Sequence, residues 1–141
     1  VKGPEKERNA PFVLLLDTEI KRALVLEKKT NQKVRTYVLC LGNRGRKTAS
    51  NVVCYINFGP HALILEIKGR ALEEPFKIYE GGNNASYVKL FAEHLPPNVD
   101  SSFTIYVVGE PIPEISVRDE EEGEIKDIGF YTLTASFVQD L

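Results

Sequence analysis

Short apolar runs in this chain recur about every 8 to 14 residues, and glycine, proline, asparagine or aspartate closes nearly every one. That spacing leaves little room for long helices and suits strands joined by turns. The runs fall at 11–17, 19–27, 33–43, 51–58, 61–69, 75–80, 85–95, 101–109, 114–119 and 129–137. Most alternate with period two. In 33–43, Val34, Val38 and Cys40 stand opposite Arg35, Tyr37, Leu39 and Leu41, and the far half is apolar on both faces, as in a strand covered on both sides. In 19–27 the same reading puts Ile20, Leu24 and Leu26 on one face of a strand. Only "YVKLFAEHL" (87–95) could also pass for a short helix.

The punctuation agrees with this parse. All 8 prolines lie between the runs or at their ends, where a missing N–H does no harm to a central ladder. "GGNN" (81–84) supplies residues that tolerate positive φ, as a tight connection requires. The expected architecture is an all-β antiparallel sandwich of about 7–10 strands. Residues 1–10 are expected to be a linker or mobile segment and residues 11–141 a single domain, with no internal repeat or interior linker. At 141 residues such a domain buries a sizeable core without metal or disulfide staples.

Charge and composition remove several functions. The net charge is -2, with both signs interspersed, so no broad basic field draws nucleic acid. The longest apolar run, "FVLLL", is strand-sized, and no basic stretch leads into an apolar one as in a signal peptide. The chain holds no methionine, and its charged start "VKGPEKERNAP" suits a linker. Both points suggest a segment of a larger protein. Cys40 and Cys54 are the only cysteines; two free buried thiols are expected rather than a bridge.

The segment nearest to a functional motif is "GNRGRKT" (42–48). A phosphate-binding loop needs G-x-x-x-x-G-K-[ST] opening into a helix. Gly42, Gly45, Lys47 and Thr48 have the wrong spacing, and the next run reads as a strand. Three cations on one loop, Arg44, Arg46 and Lys47, read as a solvated turn, with Asn43 closing it and Gly45 taking positive φ.

This stretch also carries a resemblance. Asn43, Gly45, Ala49, Asn51, Val52 and Ile56 match N-x-G-x-x-x-A-x-N-V-x-V-x-I, with Cys54 in place of the usual valine. The pattern resembles immunoglobulin-like β-sandwich domains of bacterial and archaeal surface or membrane-associated proteins, the CARDB and related groups. "LPP" (95–97) before "SSFTIYVVG" is a second landmark, with "NVD" where a glycine is usual. The likeness spans roughly residues 33–109. It implies a spacer, adhesion or interaction module and brings no catalytic residues with it.

The other chemistry-bearing residues form no recognisable set. The acidic run "RDEEEGEIKD" (118–127) lacks the D-x-[DN]-x-[DN]-G spacing of a calcium loop and reads as a solvated hairpin. Cys40, Cys54, His61 and His94 include no close ligand pair for zinc. Ser101 and Ser102 lie in no G-x-S-x-G elbow. Asn84-Ala85-Ser86 matches the N-glycosylation sequon. No catalytic, cofactor-binding or metal-ligating residue is assigned, and no enzyme activity or cofactor is expected.

The expected function is a noncatalytic structural or protein-interaction module of a cell-envelope or membrane-associated protein. It would work at the cell envelope or an extracellular face, or as a cytoplasmic domain of a membrane-anchored protein. Its expected partner is a protein, not nucleic acid or a small molecule. The alternative is a ligand- or calcium-binding sensor domain.

Overall fold

The computed structural model describes residues 8–18, 20–69, 75–120, 123–125 and 127–132. In chain order the elements are β1 (Pro11–Thr18), α1 (Lys21–Thr30), β2 (Val34–Asn43), β3 (Ala49–Asn57), β4 (Ala62–Lys68), β5 (Lys77–Gly81), β6 (Tyr87–Leu95), β7 (Asp100–Gly109), β8 (Glu114–Asp119), β9 (Gly123–Ile125) and β10 (Ile128–Thr132). They form two five-stranded sheets, β10-β1-β2-β7-β4 (sheet A) and β5-β6-β3-β8-β9 (sheet B). Within each sheet neighbouring strands pair antiparallel, except that β1 and β10 run parallel. The chain is therefore an immunoglobulin-like β-sandwich.

Alternation builds the core. On sheet A, Leu15, Leu39 and Phe103 are cross-strand partners in one row, and all three are buried. Opposite them, sheet B contributes Val52, Cys54 and Ile56 from β3 and Val88, Leu90 and Ala92 from β6. Phe58 and Phe76, just outside the strands, are fully buried in the same cluster, and the Phe58 ring lies 5.2 Å from that of Tyr37. "YVKLFAEHL" is strand β6, in keeping with its alternation.

One segment departs from the sequence reading. Residues 19–27 were expected to form a strand, but Lys21–Thr30 is a helix. The residues between Lys21 and Lys29 are nearly all good helix formers, with no glycine or proline. Lys28 and Lys29 sit in the last turn, where cations oppose the negative end of the helix dipole. Asn31 ends it with φ 55°, its N–H bonded to the Glu27 carbonyl oxygen. The buried face is Ala23 and Leu26, three apart, so Leu24, expected inward, is 61% exposed. The two-residue spacing of Leu24 and Leu26 imitates strand alternation without belonging to a strand.

The helix lies on the outer face of sheet A. Ala23 and Leu26 pack with Val34, Tyr106 and Val108, and Leu65 joins them. Double-sided cover of β2 is therefore real but displaced: it falls on the near half, at Val34 and Thr36, while Val38 and Cys40 stay half-exposed. The Arg22 guanidinium donates to Glu66 on β4 (Nη2 to Oε1, 3.1 Å), tying the helix to the sheet.

The remaining strands fall within a few residues of their expected limits, except β9, which lies within the acidic run read as a solvated hairpin and for which no strand was expected. The last expected run, 129–137, is β10 as far as Thr132; residues 133–141 lie outside the described residues. Residues 8–10, placed with the linker from sequence, run beside the 44–47 turn. Arg8 O accepts from Arg46 N (2.9 Å) and Lys47 N (3.2 Å), and Ala10 O from Arg44 N (3.0 Å).

Candidate functional site

The GNRGRKT stretch is a structural joint. Asn43 is almost fully buried, and all its side-chain capacity is used inside the protein. Its Oδ1 accepts from Ala10 N (2.8 Å) and Gly45 N (2.9 Å); its Nδ2 donates to Lys47 O (2.8 Å) and Leu95 O (2.9 Å). One side chain thus ties the start of β1, the turn and the end of β6. It also links the N-x-G motif to the leucine of "LPP".

Gly45 is required for a reason other than the expected one. Its φ is not positive; Asn51, six residues on, has φ 50° instead. A Cβ on Gly45 would sit 2.6 Å from Ala10 N and closer still to the Arg8 carbonyl oxygen. The glycine lets two backbones approach. Arg44 is engaged as well, its guanidinium 4.0 Å from the Phe12 ring centroid and 3.7 Å from the Asp127 carboxylate. The loop leads into strand β3, not into a helix.

The other motif residues are scattered. Cys54 is fully buried between the sheets, and burial pushes its thiol up to about 12. Cys40 lies half-buried on the outer face of sheet A, its thiol also raised by burial and then by Asp100. Both are free. In the acidic hairpin, Asp119 Oδ1 accepts from Gly123 N (3.1 Å), Glu120 Oε2 from Asn51 Nδ2 (3.0 Å), and Asp127 faces Arg44. Glu121 and Glu122 lie outside the described residues. Among the described residues no three His, Cys, Asp or Glu side chains converge as for a metal. Asn84 is exposed at φ 68° in the β5–β6 turn, its N–H bonded to Ile64 O.

The surface with a distinct chemistry is the outer face of sheet B. Residues 54 and 56 of β3 and 88, 90 and 92 of β6 point inward, so their neighbours point out. Register then sets Val53 between Phe91 and Arg118, and Tyr55 between Lys89 and Ser116. Edge strand β5 adds Tyr79, 68% exposed, its ring 6.1 Å from that of Phe91. The Tyr55 and Tyr87 rings are 5.7 Å apart, and Lys89 Nζ lies 5.5 Å from the Tyr55 ring centroid. Tyr87 Oη donates to Glu80 Oε2 (2.9 Å), which holds the phenol above its ordinary pKa, and Lys89 pairs with the same carboxylate at 3.8 Å. The one helix among the described residues lies on the other sheet. Among the described residues no helix covers this face, which carries four aromatic rings with Lys77, Lys89 and Arg118.

Sequence reasoning did not single out these rings. Period-two alternation puts Tyr87 and Phe91 on the same side of β6, but that β6 lies beside β3 and Tyr55 is a property of the fold.

No protein-family model matches the chain, and no curated protein matches it significantly. The likeness of residues 33–109 to the CARDB group therefore rests on the quoted motif. Among solved structures, the chain is similar to the chitin-binding domain of a chitinase from Pyrococcus furiosus (12% identity, TM-score 0.49, 84% of this chain and 100% of that one). It is also similar to a non-cellulosomal cohesin from Archaeoglobus fulgidus (9% identity, TM-score 0.44, 93% and 95%). A third match is an exo-β-N-acetylglucosaminidase from Vibrio harveyi, of which the chain covers only 18% (11% identity, TM-score 0.47, 89% of this chain). Such likenesses are too remote to carry a ligand or an activity across. No helix among the described residues is long and apolar enough to cross a membrane.

Proposed function

We infer that this chain is a noncatalytic protein-interaction module whose binding surface is the outer face of sheet B. The observation that carries this is the surface cluster of exposed Tyr79 with half-buried Phe91, Tyr55 and Tyr87, flanked by Lys89 and Arg118. Tyrosine, phenylalanine and arginine are enriched at the centres of protein interfaces, where large rigid rings bury area at little entropic cost. A folded protein gains little by leaving such rings in water, so their exposure points to a partner. The setting that suits such a module is a cell-envelope or membrane-associated protein, a reading supported by the motif of residues 33–109.

Photo-crosslinking from the face tests it. A benzoylphenylalanine at position 79 should give covalent adducts to a discrete protein in the source cell. The same group at position 112 should not, although Ile112 is 71% exposed, because it lies off this face in the β7–β8 connection. Equal adducts from both positions, or none from position 79, would refute the assignment.

A further inference from the structure

A second surface, independent of the aromatic face, carries a different chemistry. On α1 the exposed positions are Lys21, Leu24, Val25, Lys28 and Lys29. Lys21, Leu24, Val25 and Lys28 follow i, i+3, i+4, i+7 and so share one side of the helix, opposite the buried Ala23 and Leu26. Lys33, just past the helix, is exposed as well. None of these four lysines forms an ion pair with a described residue; the helix's one pair to the sheet uses Arg22.

The charge is strongly localised. Residues 20–33 hold five cations (Lys21, Arg22, Lys28, Lys29, Lys33) and one anion (Glu27), a net of +4, whereas the whole chain is -2. The rest of the molecule is therefore net negative. Near an anionic plane, such a distribution favours approach by α1 over approach by the acidic parts of the surface; the other basic stretch, residues 44–47, has Arg44 paired with Asp127.

We propose that the exposed side of α1 docks on an anionic lipid surface, with Leu24 and Val25 entering the headgroup layer and Lys21, Lys28, Lys29 and Lys33 facing the lipid charges. Composition favours lipid over a protein here. Lysine is depleted at protein interfaces, and this surface has no aromatic anchor. Lysine flanking exposed aliphatic groups on a helix is the arrangement that suits a charged bilayer. The surface is small, and the attraction is weak and salt-sensitive, of use to a module already held near a membrane.

Vesicle sedimentation of the full chain tests this. Mixed phosphatidylcholine–phosphatidylserine vesicles should pellet it at low salt, pure phosphatidylcholine vesicles should not, and added salt should release it. The variant K21Q/K28Q/K29Q/K33Q should lose about fivefold in partition per lysine removed. L24Q/V25Q should also bind more weakly, while Tyr79→Ala, on the other face, should bind like the parent. Circular dichroism reports whether each variant folds; should the quadruple variant fail to fold, the parent's salt titration and L24Q/V25Q decide. The proposal is overturned by failure of the parent to pellet with phosphatidylserine, or by variants at either set that pellet as the parent does. It is equally overturned if soluble polyglutamate binds these lysines while vesicles do not, which would assign the surface to an acidic protein.

Discussion

The two sheets are alike on the inside and opposite on the outside. Both inner faces are mainly aliphatic, and with Phe58, Phe76 and Phe103 they seal one core. Outside, sheet A carries Val34, Tyr106 and Val108 under the apolar side of α1. Sheet B carries Tyr55, Tyr79, Tyr87 and Phe91 among charged neighbours, with no helix among the described residues over them. The difference teaches how to tell a structural apolar surface from a functional one. The near half of sheet A's outer face, at Val34, Tyr106 and Val108, is covered by the fold's own helix, whereas no helix among the described residues covers the rings of sheet B.

That contrast can be broken by substitution, beginning with the joint that serves both sheets. Gly45→Val would drive a branched side chain into the backbone of residues 8–10. It should cost about 3 kcal/mol, the upper range for overpacking, measured by denaturant midpoint. A loss no larger than that of a surface substitution would show that the two backbones can part freely.

Next is the covered face. Leu26→Ala removes the larger of the two buried side chains of α1 and should cost about 2 kcal/mol, the lower end for leucine truncation. If the cost is negligible, α1 does not cover sheet A, and the comparison fails.

A smaller effect is expected from the Arg22–Glu66 pair. The hydrogen bond from Arg22 holds the Glu66 carboxyl below its ordinary pKa. A lowered carboxylate contributes stability above its unfolded value of 4.5 and loses it as pH falls through the lower folded value. Arg22→Ala should therefore destabilise the protein less than Leu26→Ala does, and the difference from the parent should fade below that window. A difference that persists at lower pH would mean that Arg22 acts through packing.

The smallest effect should come from the turn cations and the acidic hairpin. Replacing Arg46 and Lys47 by serine should change stability by about 0.5 kcal/mol or less per site. Millimolar calcium should leave the melting temperature unmoved; an upward shift would show binding to the folded state and favour a sensor role.

How much of this is legible in the amino-acid sequence divides along physical lines. Strand positions are, because alternation and turn chemistry are local: β8 matches its expected 114–119, and β7 begins one residue early, at Asp100. The helix is not. Only Ala23 and Leu26 are buried in its ten residues, too few to mark a helical period, and Leu24 and Val25 blur it further. The need for Gly45 is legible but its cause is not, since it lies in contact with residues 8–10, far along the chain. The aromatic face is hidden for the same reason. Its rings come from β3, β5 and β6, and only the register of sheet B brings them together.

The central claim is that the outer face of sheet A is structural and that of sheet B functional. Tyr79→Ala beside Leu26→Ala, each read for melting temperature and for partner crosslinking from position 91, tests it most directly. The account predicts that Tyr79→Ala leaves the melting temperature nearly unchanged, within about 0.5 kcal/mol of the parent, and abolishes the crosslink. Leu26→Ala should lower the melting temperature and, at a temperature where it remains folded, retain the crosslink. The opposite pattern, an intact crosslink in a clearly destabilised Tyr79→Ala, would make the rings part of the scaffold and contradict the account.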